Sequence, residues 1–440
     1  MKKITYKVSR YNHIQQKDDL NYSVYNARTN SLAVVPYEIG AILLDKDCNK
    51  KLQEIIAHDG LKTKLIKGGF IVRSDKDEVA DALRIIKNSR KESSWLGMTI
   101  APTMNCNFSC PYCFEPKEKM LAMSDETATK VVDFIASKLE GRTNLTITWY
   151  GGEPTLALNR IEQITAKIDQ LINDRNITLY SEIITNGYNL NEKIINRLKA
   201  CHVRRFQITL DGPPEIHNKR RAPKQGSSSF RRIVDNIKLL MKEFRVDIRT
   251  NIDQNNVEYA DELITILGQE KLLDYCTISF SHVDALTSSS ANYQDNCLSQ
   301  SEFASKVRDI YIRNSSVLQH SLYPENPHTC AALGPNSYVV DPQGYLYRCW
   351  TAICDKNEIV GSVYAPADIE FKDTMTAFSI ESSNLCKECD ILPICLGGCP
   401  FKFMALKEQG RCIKWKFMLK DTIKDFICRW EIHERERVKC

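Results

Sequence analysis

A chain of 440 residues with 60 basic and 55 acidic side chains carries a formal charge of only +5. That is too balanced to require nucleic acid, and the length allows two or three domains with cores of their own. No apolar run reaches the roughly 20 residues of a membrane-spanning helix, and the opening MKKITYKVSRYNH lacks the apolar stretch of a signal peptide. The expectation is a cytoplasmic protein with neither membrane nor nucleic acid as partner, in whose reducing surroundings 17 cysteines point to metal rather than to a disulfide scaffold.

Residues 1–93 read as a separate module. Tyr22–Asn26 and Ser31–Val35 flank a turn and predict a hairpin. Helical patterns follow near Tyr37–Leu44 and Lys51–His58, then Gly68-Gly69 leads into an extended Phe70-Ile71-Val72. Asp75–Lys87 places Val79, Leu83 and Ile86 at helical spacing. Hairpin, helices, wing and helix together suggest a winged helix-turn-helix, with Asn88–Ser94 as the linker out of it.

From residue 94 to about 285 strands and helices alternate. The strands expected are Leu96–Ile100, Leu145–Trp149, Thr178–Ile184, Phe206–Leu210, Val246–Asn251 and Thr277–Phe280. Amphipathic helices lie between them, one with Ile161, Ile164, Ile168 and Leu171 on a single face, another with Ile233, Ile237, Leu240 and Met241. Six such units imply an α/β fold with a parallel sheet, open or curled into a partial barrel. Polar motifs directly follow four strands: Cys106 to Cys113, Gly151-Gly152-Glu153-Pro154, Thr185-Asn186-Gly187 and Asp211-Gly212. Strand ends of that kind converge on one mouth in a parallel barrel.

Cys106, Cys110 and Cys113 set three soft thiolates within eight residues. Such a run can wrap one corner of a [4Fe–4S] cube and leave one iron without a protein ligand. A zinc knuckle is the competing reading, weakened because no fourth Cys or His lies nearby. The Cys-x3-Cys-x2-Cys run resembles the signature of the radical S-adenosylmethionine (SAM) superfamily, and the resemblance covers Leu96 to about Ser281. It implies a partial TIM-like barrel whose open iron chelates SAM and reduces it to a 5′-deoxyadenosyl radical. It further implies that Gly151, Gly152 and Glu153 receive the methionine end of SAM, that Tyr112 neighbours the adenine, and that Asn186 and Thr209 lie near the ribose and carboxylate. Arg221 and Asn251 match recurrent family positions only loosely, and no catalytic residue beyond the cluster is assigned.

The last 115 residues hold Cys330, then Gly344-x4-Cys349, then Cys386-x2-Cys389-x5-Cys395-x3-Cys399, and finally Cys412. Seven thiolates are too many for one cluster and nearly enough for two; a zinc ribbon on Cys386, Cys389, Cys395 and Cys399 would leave three unexplained. The spacing is similar to the SPASM extension of peptide-modifying radical SAM enzymes, here residues 326–440 after a connecting segment at 286–325. The resemblance implies one auxiliary cluster on Cys386, Cys389, Cys395 and Cys412 and another on Cys330, Cys349 and Cys399 with its fourth ligand open, so three [4Fe–4S] clusters in all. Anaerobic sulfatase-maturating enzymes carry a further cysteine where this chain has Asn336 and an aspartate where it has Trp350. An open auxiliary iron could hold a substrate cysteine, unless Cys354 fills the position.

These expectations describe an oxidoreductase that matures a ribosomally made (RiPP) precursor peptide by thioether crosslinking, fed by a one-electron reductant such as flavodoxin or ferredoxin. Other oxidative chemistry, either C–C crosslinking or formylglycine formation, is the alternative, and a non-enzymatic iron–sulfur regulator a third. A winged module resembling residues 1–93 serves peptide maturases as a leader-peptide reader, capturing an extended segment as an added strand; a structural cap and a DNA reader are the competing readings. Lys414–Val438 is expected as a closing helix, and Cys48, Cys201, Cys276, Cys297, Cys428 and Cys440 as packing residues rather than ligands.

Overall fold

The computed structural model describes residues 4–45, 49–57, 59–91, 94–116, 121–226, 228–318, 324, 330–367, 369, 380, 382–423 and 425. Fourteen strands are described: β1 Tyr6–Val8, β2 Asn12–Gln16, β3 Asn21–Asn26, β4 Ser31–Pro36, β5 Ile71–Arg73, β6 Trp95–Ile100, β7 Asn144–Trp149, β8 Thr178–Thr185, β9 Val203–Thr209, β10 Arg245–Ile252, β11 Cys276–His282, β12 Ser337–Val340, β13 Tyr345–Tyr347 and β14 Gly361–Ser362. Cys48, Cys428, Cys440 and most of the expected closing helix beyond Ile423 fall outside the described residues.

β6 to β11 form a parallel sheet in sequential order, with each strand beside the next. Helices such as Leu158–Ile172 and Phe230–Leu240 connect them and bury Ile161, Ile164 and Ile168, or Ile233, Ile237 and Leu240. Sequential order with one-handed crossovers is the winding of a barrel, and all six strands therefore end at one mouth. Strand alternation then divides the side chains by face. Val246, Ile248 and Ile252 of β10 and Phe206 and Ile208 of β9 enter the main apolar core. The opposite face is ionic: Arg205 bonds Asp247 and lies 3.2 Å from Glu182, which also accepts from Thr148 Oγ1 at 2.8 Å.

Three strands absent from the sequence expectations prolong this sheet. β12 pairs parallel with β6, then β13 and β14 add antiparallel strands, giving nine strands in all. The cysteine-rich region is thereby rooted in the barrel's own sheet.

In the amino-terminal module β2, β3 and β4 form an antiparallel sheet, followed by helices Tyr37–Leu44, Asn49–Ile55 and Asp59–Lys67. The expected wing, Phe70–Val72, belongs instead with β5, which pairs with β1 and not with the hairpin. The helix Glu78–Ser89 is capped by Asp77, whose carboxylate accepts from Val79 and Ala80 N–H. Tyr11, Tyr25, Ala27, Ala82 and Ile86 of this module share one core with Ile380, Cys386, Ile391, Leu392, Ile394, Leu396, Leu419 and Ile423. His13 Nδ1 lies 3.7 Å from Asp390, and Arg90 donates to the Leu396 carbonyl at 3.3 Å. The module is docked on the cysteine-rich region through this shared apolar core. No helix among the described residues is long and apolar enough to cross a membrane.

Candidate functional site

The loop after β6 is held on two sides before any ligand is considered. Lys224 N–H donates to Asn107 O at 2.7 Å and Ser109 N–H to Ala222 O at 3.3 Å. From the other side Gly152 N–H reaches Thr103 O at 3.2 Å and Glu153 N–H reaches Asn105 O at 2.9 Å. A Cβ on Gly151 would lie 2.3 Å from Thr103 O, and one on Gly152 2.5 Å from Asn105 O and Met104 O. Both glycines are therefore required for the close approach of two backbones, and Gly151 also for its φ of +104°.

The result is a cavity of about 270 Å³ walled by Cys106, Cys110, Cys113, Gly152, Glu115 and Lys224, among others. Burial pushes the Cys106 thiol up to about 12 and raises those of Cys110 and Cys113. Thiols in so apolar a setting stay protonated unless a cation displaces the proton. Among the described residues no three His, Cys, Asp or Glu side chains converge tightly enough for a single metal ion. Three soft donors spread round a cavity suit a multi-iron cube, with each thiolate on its own iron.

Glu153 is fully buried. Its Oε1 accepts from Thr155 N–H at 3.1 Å, Thr155 Oγ1 at 2.5 Å and Thr185 Oγ1 at 2.7 Å, and its Oε2 from Asn186 N–H at 2.8 Å. This carboxylate clamps the end of β7 to the end of β8. Asn186 is buried too and donates through Nδ2 to Asn107 Oδ1 at 2.7 Å, tying the β8 end to the cysteine loop. Thr209 is a buried residue at the end of β9, in register with Arg249.

Tyr112 sits in a polar network that the sequence did not disclose. Its hydroxyl bonds Asp211 Oδ2 and receives Arg221 Nη1 at 2.7 Å, while the Arg220 guanidinium lies 5.0 Å from its ring centre. Arg220 pairs with Asp253 at 2.8 Å, and Asp211 Oδ1 accepts from Asn251 N–H at 2.9 Å. Arg221 and Asn251, only loosely matched by sequence, thus stand beside the residue expected at the adenine. The signal available was the Asp211 to Arg221 spacing after a strand, meaningful only once the strands were known to end together.

The seven carboxy-terminal cysteines fall into two sets. The Cys395 thiol is pushed up to about 12, first by burial and then by its neighbours Cys389, Cys412 and Cys386. Cys349 is likewise pushed up to about 12, first by burial and also by Cys330 and Cys399. One turn separates the sets. Leu396, Gly397 and Gly398 all have positive φ, and a Cβ on Gly398 would lie 1.7 Å from Arg411 O. Cys399 N–H donates to that same carbonyl at 3.0 Å. The close approach brings Cys412 beside Cys395 and sends Cys399 to the start of helix Pro400–Gly410. Buried Arg348 donates to the carbonyls of Ala332 at 3.1 Å and Ser337 at 2.6 Å, binding the turn after Cys330 to the neighbour of Cys349. Cys354 has a φ of +64° and faces Asp341 Oδ2 at 3.9 Å, beside Tyr347.

A larger cavity of about 810 Å³ adjoins these parts, lined by Phe114, Thr287, Asn292, Thr351, Cys354, Lys356 and Phe401 among others. Trp350, 41% exposed, stacks on Tyr150 with centroids 5.8 Å apart. Tyr150 in turn feels both Cys113 and Cys349, so this aromatic pair lies between the first thiol group and the Cys330 set.

Comparison with known proteins agrees with this geometry. Residues 100–267 match the model of the radical SAM superfamily. The cysteine-type anaerobic sulfatase-maturating enzyme of Clostridium novyi (strain NT) is 27% identical over 332 residues, spanning 69% of this chain and 87% of its own. The serine-type enzyme of Klebsiella aerogenes is 22% identical, over 70% of this chain and 80% of its own. In fold the chain resembles native anSMEcpe with bound AdoMet and Cp18Cys peptide, with a TM-score of 0.60, 19% identity and coverage of 78% and 99%. It also resembles Streptococcus suis SuiB bound to precursor peptide SuiA, with a TM-score of 0.52, 14% identity and coverage of 92% and 98%. The cysteine loop at the strand ends and the family match identify this chain as a carrier of a radical SAM domain, related to the anaerobic sulfatase-maturating enzymes.

Proposed function

We propose that this chain is a radical SAM/SPASM maturase that forms a thioether between a cysteine and a carbon of a ribosomally made precursor peptide. The observation that carries the reading is the cavity walled by Cys106, Cys110, Cys113 and Gly152 at the shared mouth of six parallel strands. A [4Fe–4S] cluster held by those thiols would supply the electron that splits SAM into methionine and a 5′-deoxyadenosyl radical; that radical would take one hydrogen from the peptide carbon, and closing the C–S bond would give up the thiol proton to solvent and one electron to an auxiliary cluster. Gly151 and Gly152 bring their backbone against the cysteine loop and present it to the methionine end of SAM, and Glu153 acts as a positioning residue through its clamp on Asn186. Tyr112, Asn186 and Thr209 line the way to the adenine, ribose and carboxylate.

The partition of seven thiols into Cys386, Cys389, Cys395 and Cys412 against Cys330, Cys349 and Cys399 supports two auxiliary clusters. Cys354 faces Asp341, beside Tyr347. In this reading a substrate cysteine thiolate supplies the fourth ligand of the site on Cys330, Cys349 and Cys399. A flavodoxin or ferredoxin serves as reductant. Formylglycine formation stays as the second reading because the curated relatives are named for sulfatase maturation; Trp350, standing where those enzymes carry an aspartate, argues against it. Mass spectrometry separates the two: a loss of two hydrogens with one thiol blocked is expected, and an aldehyde product overturns the thioether.

For residues 1–93 the reading is leader capture, with domains following at 94–285, 286–325 and 326–440. The SuiB match leaves out 8% of this chain, about 35 of 440 residues, fewer than the module contains. Among the described residues β4 pairs with β3 alone, which leaves its other edge for an added strand. Deleting the module would strip Tyr11, Tyr25, Ala82 and Ile86 from the core they share with the cysteine-rich region, so truncation is a poor test. Hydrogen exchange on the full chain is better: precursor peptide should protect the amides of Ser31–Val35, and unchanged exchange there would refute leader capture.

A further inference from the structure

Lys416 lies four residues after Cys412, in a turn where its N–H donates to Ile413 O at 3.0 Å. That turn carries the side chain back over the loop of Cys386 and Cys389. Lys416 Nζ donates to Cys389 Sγ at 3.4 Å and to Asp390 Oδ1 at 3.4 Å. The same charge acts on Cys412. Cys389 and Cys412 both belong to the set with Cys386 and Cys395, so one cation faces two members of a single thiol group.

The surroundings of that contact are unequal. On one side Cys389 packs, with Cys395, Ile413 and Trp415, against the apolar core shared with the amino-terminal module. On the other side a groove of about 290 Å³ opens to solvent, lined by His13, Asp390, Trp415, Lys416 and Phe417 among others. Lys416 is 36% exposed, so its ammonium is hydrated in part and stays charged at neutral pH. A thiolate that binds iron keeps its sulfur lone pairs as acceptors, and the charge and hydrogen bonds at sulfur govern how readily a cluster is reduced. Reduction adds one negative charge. A cation in contact with a ligand sulfur therefore stabilises the reduced form more than the oxidised one. The Asp390 carboxylate, adjacent in the chain to Cys389, opposes it.

We propose that Lys416, acting through Cys389, raises the reduction potential of the auxiliary cluster on Cys386, Cys389, Cys395 and Cys412, fitting that cluster to accept the electron released when the C–S bond closes. The inference rests on the reading of these four thiols as a cluster site in a peptide maturase. It assigns to one of the two auxiliary sites the task of electron acceptor.

The test is a redox titration of the full-length, anaerobically reconstituted enzyme, followed by electron paramagnetic resonance. The midpoint belonging to this set is the one missing after the paired substitutions Cys395→Ala and Cys412→Ala. Lys416→Met should disfavour reduction of that cluster about tenfold, a midpoint lower by about 59 mV for one electron, with iron content and the other midpoints unchanged. Lys416→Arg should stay near wild type. Asp390→Asn should move the same midpoint upward. A midpoint unmoved by Lys416→Met at wild-type iron content overturns the proposal alone, and so does an equal shift in clusters on other thiols. A midpoint that fails to rise in Asp390→Asn overturns it whether or not Lys416→Met retains its iron. Zinc in place of iron at these four thiols overturns the proposal and the cluster reading together.

Discussion

Replacing Glu153 by glutamine separates two roles for one carboxylate, a clamp inside the fold and a ligand of SAM. The native group accepts four hydrogen bonds, three at Oε1 and one at Oε2, in a fully buried position. A glutamine oxygen can take the place of Oε1 and keep three of them in weaker, uncharged form. Its NH₂ then meets the Asn186 N–H donor to donor. An orphaned buried N–H costs about 1–3 kcal/mol, and bonds to a charged acceptor exceed neutral ones by about 0.5–1 kcal/mol each. The lower desolvation cost of the neutral amide offsets part of that loss. A net destabilisation of about 2–3 kcal/mol is expected. Urea unfolding of SAM-free Glu153→Gln and wild-type protein measures it. If the two unfold alike while the variant loses affinity for SAM, the clamp argument is refuted and Glu153 acts by contact alone.

Three further outcomes follow from the same structure. Gly398→Ala sets a Cβ against Arg411 O and should cost the reconstituted protein about a third or more of its iron, read by metal analysis against wild type. Insertion of iron at Cys106, Cys110 and Cys113 must expel a proton from each buried thiol, so metal uptake should strengthen as pH rises, with proton release visible by indicator dye. His217 accepts from Asp211 N–H at 3.2 Å and is held neutral, first by burial and then by Arg221 and Arg220. Its folded pKa lies below its unfolded one, so the stability it contributes is present above the ordinary histidine pKa of about 6.5 and is lost as pH falls below it. The unfolding midpoint of His217→Gln should therefore drop less than wild type between neutral and mildly acidic pH.

The barrel was legible because its strands are short apolar or β-branched runs between amphipathic helices. All six expected strands match β6 to β11, with the largest difference at the start of β9, Val203 rather than Phe206. β12 to β14 escaped notice because strands of two to four residues owe their existence to the neighbouring β6, not to local pattern. The same holds for β1 and β5, whose pairing joins residues far apart in sequence. The thiols could be grouped from spacing only through a resemblance. What brings Cys412 to Cys395 is Gly398, a single residue whose need to be glycine is invisible until Arg411 is seen against it. The shared core of the amino-terminal module and the cysteine-rich region joins positions some 300 residues apart, beyond the reach of any local periodicity.

The most direct test is a chemical count on anaerobically reconstituted protein treated with dithionite and SAM. Wild type should liberate 5′-deoxyadenosine, and substitution of Cys106, Cys110 and Cys113 by alanine should abolish it while removing the iron of one cluster. Nucleoside release undiminished by that triple substitution, or its absence from the intact enzyme, would contradict the assignment of the thiol-lined cavity.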